Sequence, residues 1–168
     1  MLKLTERLGP IAADRATETL TLPYERRVLG RLKATSDSGR ELGLFLDRGP
    51  VLRDGEGLRA ESGEVVRICA AVEPVVTART AAGLPLARLA YHLGNRHVQL
   101  ALGEDEEGGW VRFPPDHVLE ALATLLGATL VHHEAPFDPE PGAYQQPGGR
   151  AHAHGHHHAH DQEHHHAH

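Results

Sequence analysis

The sequence predicts an α+β protein in three parts: a small N-terminal β-domain over residues 1–73, a ferredoxin-like βαββαβ domain over residues 74–144, and a histidine-rich tail over residues 145–168. Three observations carry this. Short apolar or alternating runs punctuated by Gly and Pro fill the first part, with no helical period. Two helix-period segments set among strand-like runs fill the second. In the third, only Ala, His, Gly, Arg, Asp, Gln and Glu occur after Gly148-Gly149, so there is no apolar surface to bury.

In the first part, strands are expected at Thr17–Leu22, Arg27–Thr35, Glu41–Leu46 and Glu64–Val72. Ser36-Asp37-Ser38-Gly39 marks a hairpin turn, and Asp47-Arg48-Gly49-Pro50 and Asp54-Gly55-Glu56-Gly57 mark two more. The reading is a sandwich or barrel-like unit. Its charges are mixed in sign, as on a solvated face, and it holds no catalytic constellation.

In the second part, Val72–Arg79 reads as a strand. Leu86, Leu89, Ala90 and Leu93 then recur at i, i+3, i+4 and i+7, one apolar helix face. Gly94-Asn95 follows, a pair suited to the left-handed conformation that ends helices. A strand at Val98–Leu102, an acidic turn at residues 104–109 and a strand at Trp110–Phe113 come next. Pro115-Asp116 opens a second helix, Asp116 capping the free amides. Val118, Leu119, Leu122, Leu125 and Leu126 are its expected buried face, Gly127 its stop, and Ala128–His133 the last strand. From Pro136 to Tyr144, prolines and glycines deny regular structure. The tail is expected to be disordered without metal.

Composition narrows the function. The formal net charge is -6, which argues against nucleic acid or an acidic membrane as partner. No stretch resembles a signal peptide or a membrane-spanning helix, so the cytoplasm is expected. The single cysteine, Cys69, lies in an apolar run and reads as a small buried thiol. It also excludes an iron–sulfur cluster.

Histidine is the anomaly: there are 15, and His152, His154, His156, His157, His158, His160, His164, His165, His166 and His168 lie in the tail. Neutral imidazole suits Ni, Cu, Zn and Co. A tail with more rings than one ion needs collects metal by high effective concentration, but selects poorly, since Cu(II) heads the divalent affinity order. An unbroken block would mark a cloning tag; this run is interrupted by Ala, Gly and acids. Protonation competes with metal, because a ligating ring must be neutral. In the folded part, His92 reads as structural or surface, and His132 and His133 alternate to opposite faces of a strand. His97 follows the helix stop, where irregular backbone can present its ring outward; from the residues alone, a core or surface role is the commoner reading.

The segment Tyr91-His92-Leu93-Gly94-Asn95-Arg96-His97 resembles the signature of the UreE family of urease nickel chaperones. In the same order follow Pro115-Asp116-His117-Val118-Leu119, Gly127-Ala128-Thr129, Glu134-Ala135-Pro136-Phe137, Glu140-Pro141-Gly142-Ala143-Tyr144 and the histidine-rich ending. Upstream, residues 48–55 resemble the family's N-terminal domain. The resemblance implies a homodimer in which His97 binds metal on the two-fold axis; His117 reads either as a secondary ligand or as a plain surface histidine. It departs from the family in having Pro114 and Pro115 before His117, so only half of an auxiliary site is present, and in Val98-Gln99-Leu100 after His97.

The resemblance implies Ni(II) as cargo, with Zn(II) and Cu(II) as competitors, and delivery to the urease-activating GTPase complex and thence to apo-urease. No nucleophile beside an oriented base and no Walker-type phosphate loop is present, so no enzymatic activity is expected. The alternative is a storage or detoxification buffer in which the tail does all the binding and His97 is dispensable. A metal-dependent hydrolase would require ligand spacing that is absent here. The N-terminal domain is expected to dock a partner or peptide.

Overall fold

The computed structural model describes residues 1–142, so the tail histidines His152–His168 lie outside the described residues. Two sheets and few helices make up the described chain. The first sheet comprises β1 (Leu2–Pro10), β2 (Glu18–Leu22), β3 (Arg31–Thr35), β4 (Glu41–Phe45), β5 (Glu56–Ala60) and β6 (Val65–Ala70), in the order β2-β6-β5-β1-β4-β3. A single helical turn, α1 (Tyr24–Arg27), precedes β3. Alternating residues such as Leu20 and Leu22, Leu42 and Leu44, and Val66 and Ile68 point inward and are buried together with Leu4, Leu52 and Leu58.

The edges of this sheet are tied off locally. The Asp37 N–H donates to Thr19 O at 3.0 Å. Asp37 Oδ2 accepts from the Thr19 and Thr21 hydroxyls, both at 2.8 Å, which links the turn after β3 to β2. Arg26 Nη2 donates to the Lys33 carbonyl on β3 at 2.9 Å.

The second sheet comprises β7 (Val72–Arg79), β8 (Ala101–Asp105), β9 (Gly108–Phe113) and β10 (Thr129–Pro136), in the antiparallel order β10-β7-β9-β8. With α2 (Leu84–Gly94) and α3 (His117–Leu125) the chain order is βαββαβ, the ferredoxin-like arrangement expected. Both helices cover one face: Leu89, Leu93, Leu119 and Ala123 pack on Val76, Ala78, Val111 and Phe113.

The structure departs from the sequence reading in several places. β1 was unanticipated because register shifts between Leu4 and Glu6 and between Arg7 and Gly9 break its alternation. β5 was read as a turn, yet the turn uses only Asp54-Gly55, with Gly55 at φ 80°. Gly57 lies within the strand because a Cβ there would meet the Ile11 side chain at 2.8 Å. The expected strand Arg27–Thr35 begins only at Arg31, since Arg27 closes α1. β8 starts three residues later than expected, and the acidic turn contracts to Glu106-Glu107 between the paired Asp105 and Gly108. On α3, Val118 and Leu125 are exposed and Ala123 fills the core instead. Cys69 is partly buried, with the Arg67 guanidinium 3.5 Å from its sulfur.

After β10 the chain continues as a strap, residues 137–142, that crosses back over the first sheet's unit. Phe137 is buried among Val75, Ala101, Ala135, Trp110 and Tyr24, with the Tyr24 ring edge-on at 5.3 Å between centroids. Arg27 is fully buried beneath it. Its Nη1 donates to Leu52 O at 2.9 Å and pairs with Asp138 Oδ1 at 2.8 Å, and its Nη2 donates to Phe137 O. Arg53 Nη2 holds the other Asp138 oxygen at 3.1 Å, and its Nη1 donates to Pro139 O.

Candidate metal site

The geometry around His97 follows from how α2 ends. Asn95 N–H still closes a helical bond to Tyr91 O at 2.9 Å, and Asn95 itself is right-handed at φ -67°. Tighter bonds follow, from Arg96 N–H to Leu93 O and from His97 N–H to Gly94 O, each 3.0 Å. The left-handed residue that lets the chain turn away is therefore His97, at φ 57°, and not the Gly94-Asn95 pair. It is the only non-glycine with positive φ among the described residues. A side chain there costs on the order of 1–2 kcal/mol relative to the right-handed conformation. The imidazole is exposed to solvent and makes no hydrogen bond among the described residues.

The chain that follows it borders a shallow, mostly apolar hollow of about 260 Å³, lined by Ala90, Gly94, Val98, Gln99, Leu100, Leu102 and Glu140. Along the outer face of α2, Leu84 and Tyr91 are exposed, Tyr91 at 67%, with the His92 ring edge-on against Tyr91 at 5.2 Å.

His117 opens α3 and is exposed. The residue before it, Asp116, is the cap: its Oδ1 accepts from Val118 N at 2.8 Å and Leu119 N at 3.0 Å. These amides, the Leu119 one foremost, hold its carboxyl below the ordinary 3.8; the positive charges of His117 and Arg96 act in the same direction. The other pair divides as expected. His132 Nε2 meets Glu120 Oε2 at 2.9 Å on the helix side, and His133 Nε2 meets the Thr77 hydroxyl at 2.7 Å on the opposite face. Arg112 Nε also donates to that hydroxyl, at 2.9 Å.

Among the described residues, no three His, Cys, Asp or Glu side chains converge into a set that could hold a metal. His97 therefore offers one nitrogen per chain, and any multi-ligand site needs donors from outside this set. A cavity of about 730 Å³ lies instead where the strap crosses the first domain, lined by Arg7, Tyr24, Pro50, Arg53, Asp138 and Pro139. Sequence reasoning missed the Arg27–Asp138–Arg53 clasp on its rim. The available signal was Phe137, a lone aromatic in a Pro-rich segment read as irregular.

No helix among the described residues is long and apolar enough to cross a membrane. The fold and site define a two-domain α+β protein whose prominent donor is a strained, exposed histidine followed by residues that border a mostly apolar hollow. Two family models match the chain: the UreE urease accessory protein N-terminal domain over residues 4–71 and its C-terminal domain over residues 73–168. The urease accessory protein UreE of Marinobacter nauticus is 62% identical over 160 residues, covering 92% of this chain and 88% of the relative. That of Pseudoalteromonas translucida is 64% identical over 149 residues, covering 88% of each. That of Alkalilimnicola ehrlichii is 54% identical over 144 residues, covering 86% and 85%. The chain belongs to the UreE family of urease accessory proteins.

Proposed function

We propose that this protein is a cytoplasmic nickel metallochaperone, without enzymatic activity of its own, that binds Ni(II) as cargo. It passes the ion to the urease-activating GTPase complex for assembly of the urease active site. The observation that carries the reading is His97: a strained, exposed histidine, followed by residues that border a mostly apolar hollow, in a chain of the urease accessory family. Strain of this kind persists where surrounding structure enforces it, and it concentrates at functional sites.

One nitrogen per chain becomes two in a homodimer, because a two-fold interface brings the same residue of both subunits together. The exposed apolar residues Leu84 and Tyr91 and the hollow at Gly94 and Val98 favour that face as the interface. Two imidazoles leave the coordination shell open. The tail histidines fill it during capture and leave one at a time during transfer, so ligand exchange replaces release into solvent. His117, exposed on the neighbouring helix start, is a secondary ligand. Zn(II) and Cu(II) compete for the same nitrogens, so the choice of nickel lies with the partner complex. The first domain supplies the surface that docks a partner.

The test is calorimetric titration of Ni(II) into the chain ended after Pro147, with and without His97→Ala, while molar mass is followed by light scattering. The expected result is one nickel per dimer, lost on substitution. No binding by the shortened chain would instead make the tail the whole metal apparatus and favour storage.

A further inference from the structure

We propose that the face of the second sheet left open by α2 and α3 is a docking surface for a partner protein that presents a carboxylate, anchored by the Arg112 guanidinium. The inference goes beyond the metal-delivery reading and does not rest on it.

The two helices pack on one face of the sheet through Val76, Ala78, Val111 and Phe113. Strand alternation puts the intervening residues on the other face. There the register sets Val131, Thr77 and Arg112 side by side in one row, and Arg79 and Trp110 in the next. Phe137 packs on part of this face, at Val75 and Ala101, whereas Val131 stays 49% exposed.

The Arg112 guanidinium is held on three sides. Its Nε donates to the buried Thr77 hydroxyl at 2.9 Å, its Nη1 donates to Pro136 O at 3.3 Å, and its central carbon lies 4.2 Å from the centre of the Trp110 ring. The indole can lie across β8 because its cross-strand neighbour there is Gly103; a Cβ at that position would overlap the ring. The Thr77 hydroxyl is fixed in turn by His133 Nε2 at 2.7 Å. Nη2 makes no hydrogen bond among the described residues, and no carboxylate there pairs with Arg112. Its neighbour Arg79 is different, since Asp105 and Glu107 already take that charge. Burial first, and then the Arg79 charge, lower the pKa of Arg112, against an opposing pull from Asp105. The result is an oriented cation without a counter-charge, in a chain whose formal net charge is -6.

A guanidinium fixed in this way matches the planar fork of a carboxylate. Much of its ordering is already complete before anything binds, which lowers the entropy lost on association. The surroundings favour a protein as the source of that carboxylate. Arginine beside tryptophan is the pairing enriched where protein interfaces draw most of their energy, and the exposed Val131 offers an apolar contact nearby. A phosphate would call for several free donors, and the second arginine of this face is already neutralised.

The test uses the full chain, whose single tryptophan, Trp110, reports on the site by its fluorescence. The probe is an end-blocked hexapeptide alternating glutamate and leucine, compared with its glutamine counterpart and with sodium acetate and phosphate. Calorimetry gives the affinities. The expected result is a saturable change in emission with the glutamate peptide alone. Arg112→Gln should weaken binding about tenfold, the size of one charge-assisted hydrogen-bonded contact. Arg112→Lys should do nearly the same, because an ammonium keeps the charge and loses the fork. Arg15→Gln, at an exposed position in the first domain, changes net charge equally and should leave binding unaltered. No binding, equal binding of the glutamine peptide, full retention in Arg112→Lys or an equal loss in Arg15→Gln would each overturn the proposal. Saturation by acetate or phosphate at the peptide's concentrations would overturn it in favour of a small-anion site. Self-association that disappears in Arg112→Gln, seen by light scattering, would overturn it in favour of a second copy. The two peptides are compared on the unaltered chain, so the test stands even where a variant fails to fold.

Discussion

Replacing His97 by glycine is expected to stabilise the metal-free protein while removing the proposed interface metal ligand. The residue sits at φ 57°, its side chain is exposed, and its backbone N–H bond to Gly94 O at 3.0 Å does not depend on the side chain. Relief of the left-handed strain contributes about 1–2 kcal/mol. The greater freedom of glycine in the unfolded chain offsets about 0.5–1 kcal/mol of that. The net is a gain of about 0.5–1 kcal/mol. Urea denaturation of the full chain with a chelator present measures it, as a higher midpoint at unchanged slope. His97→Ala is the control: it removes the same imidazole but keeps a Cβ, so it should lose nickel without the gain. A glycine variant that is destabilised by about 0.5 kcal/mol or more would refute the reasoning. It would mean that the imidazole makes stabilising contacts in the metal-free fold.

Phe137→Ala is expected to cost about 3–5 kcal/mol, because a fully buried aromatic leaves a cavity between two domains that cannot easily close; it should also separate thermal unfolding into two transitions, and a loss below about 1.5 kcal/mol with one transition would show that the strap is not part of the core. Asp116→Asn still caps α3, so the variant should differ from the parent mainly in pH dependence. The parent carboxyl is held below its ordinary 3.8, chiefly by the Leu119 amide, so its contribution is present above that value and lost as pH falls through the lower folded-state value. Calorimetric melting points measured between neutrality and about pH 3 should therefore converge at the acid end; a constant gap would refute the assignment.

The second domain was legible because its signals are local. The apolar period of α2, the Asp116 cap and the Gly127 stop are each written within a few residues, and the structure places them at those positions. The first domain was less so. Its first strand carries bulges, and its fifth begins with the Glu56-Gly57 that reads as a turn, because the need for a small residue comes from Ile11, distant in sequence. His97 stands out as a candidate ligand only through the family resemblance, since the residues by themselves favour a core or surface role, and the left-handed turn it carries was assigned to its neighbours. Gly94 and Asn95 are the ordinary choices there, and no local rule says that a histidine will be forced into their place. The clasp was illegible for another reason: Arg27 and Asp138 are 111 positions apart, and a buried ion pair leaves no pattern in either neighbourhood.

The tied-off edges of the first sheet bear on how such chains meet one another. Under the proposed function, a metal ion held by histidines of more than one copy would draw molecules together. Open strand edges in that crowd would zip into extended cross-chain sheets. Here Asp37 bridges the turn after β3 to β2, and Arg26 occupies a carbonyl on β3. If metal does bring copies of this chain together as proposed, tied edges of this kind would leave that association free of backbone pairing through the first sheet.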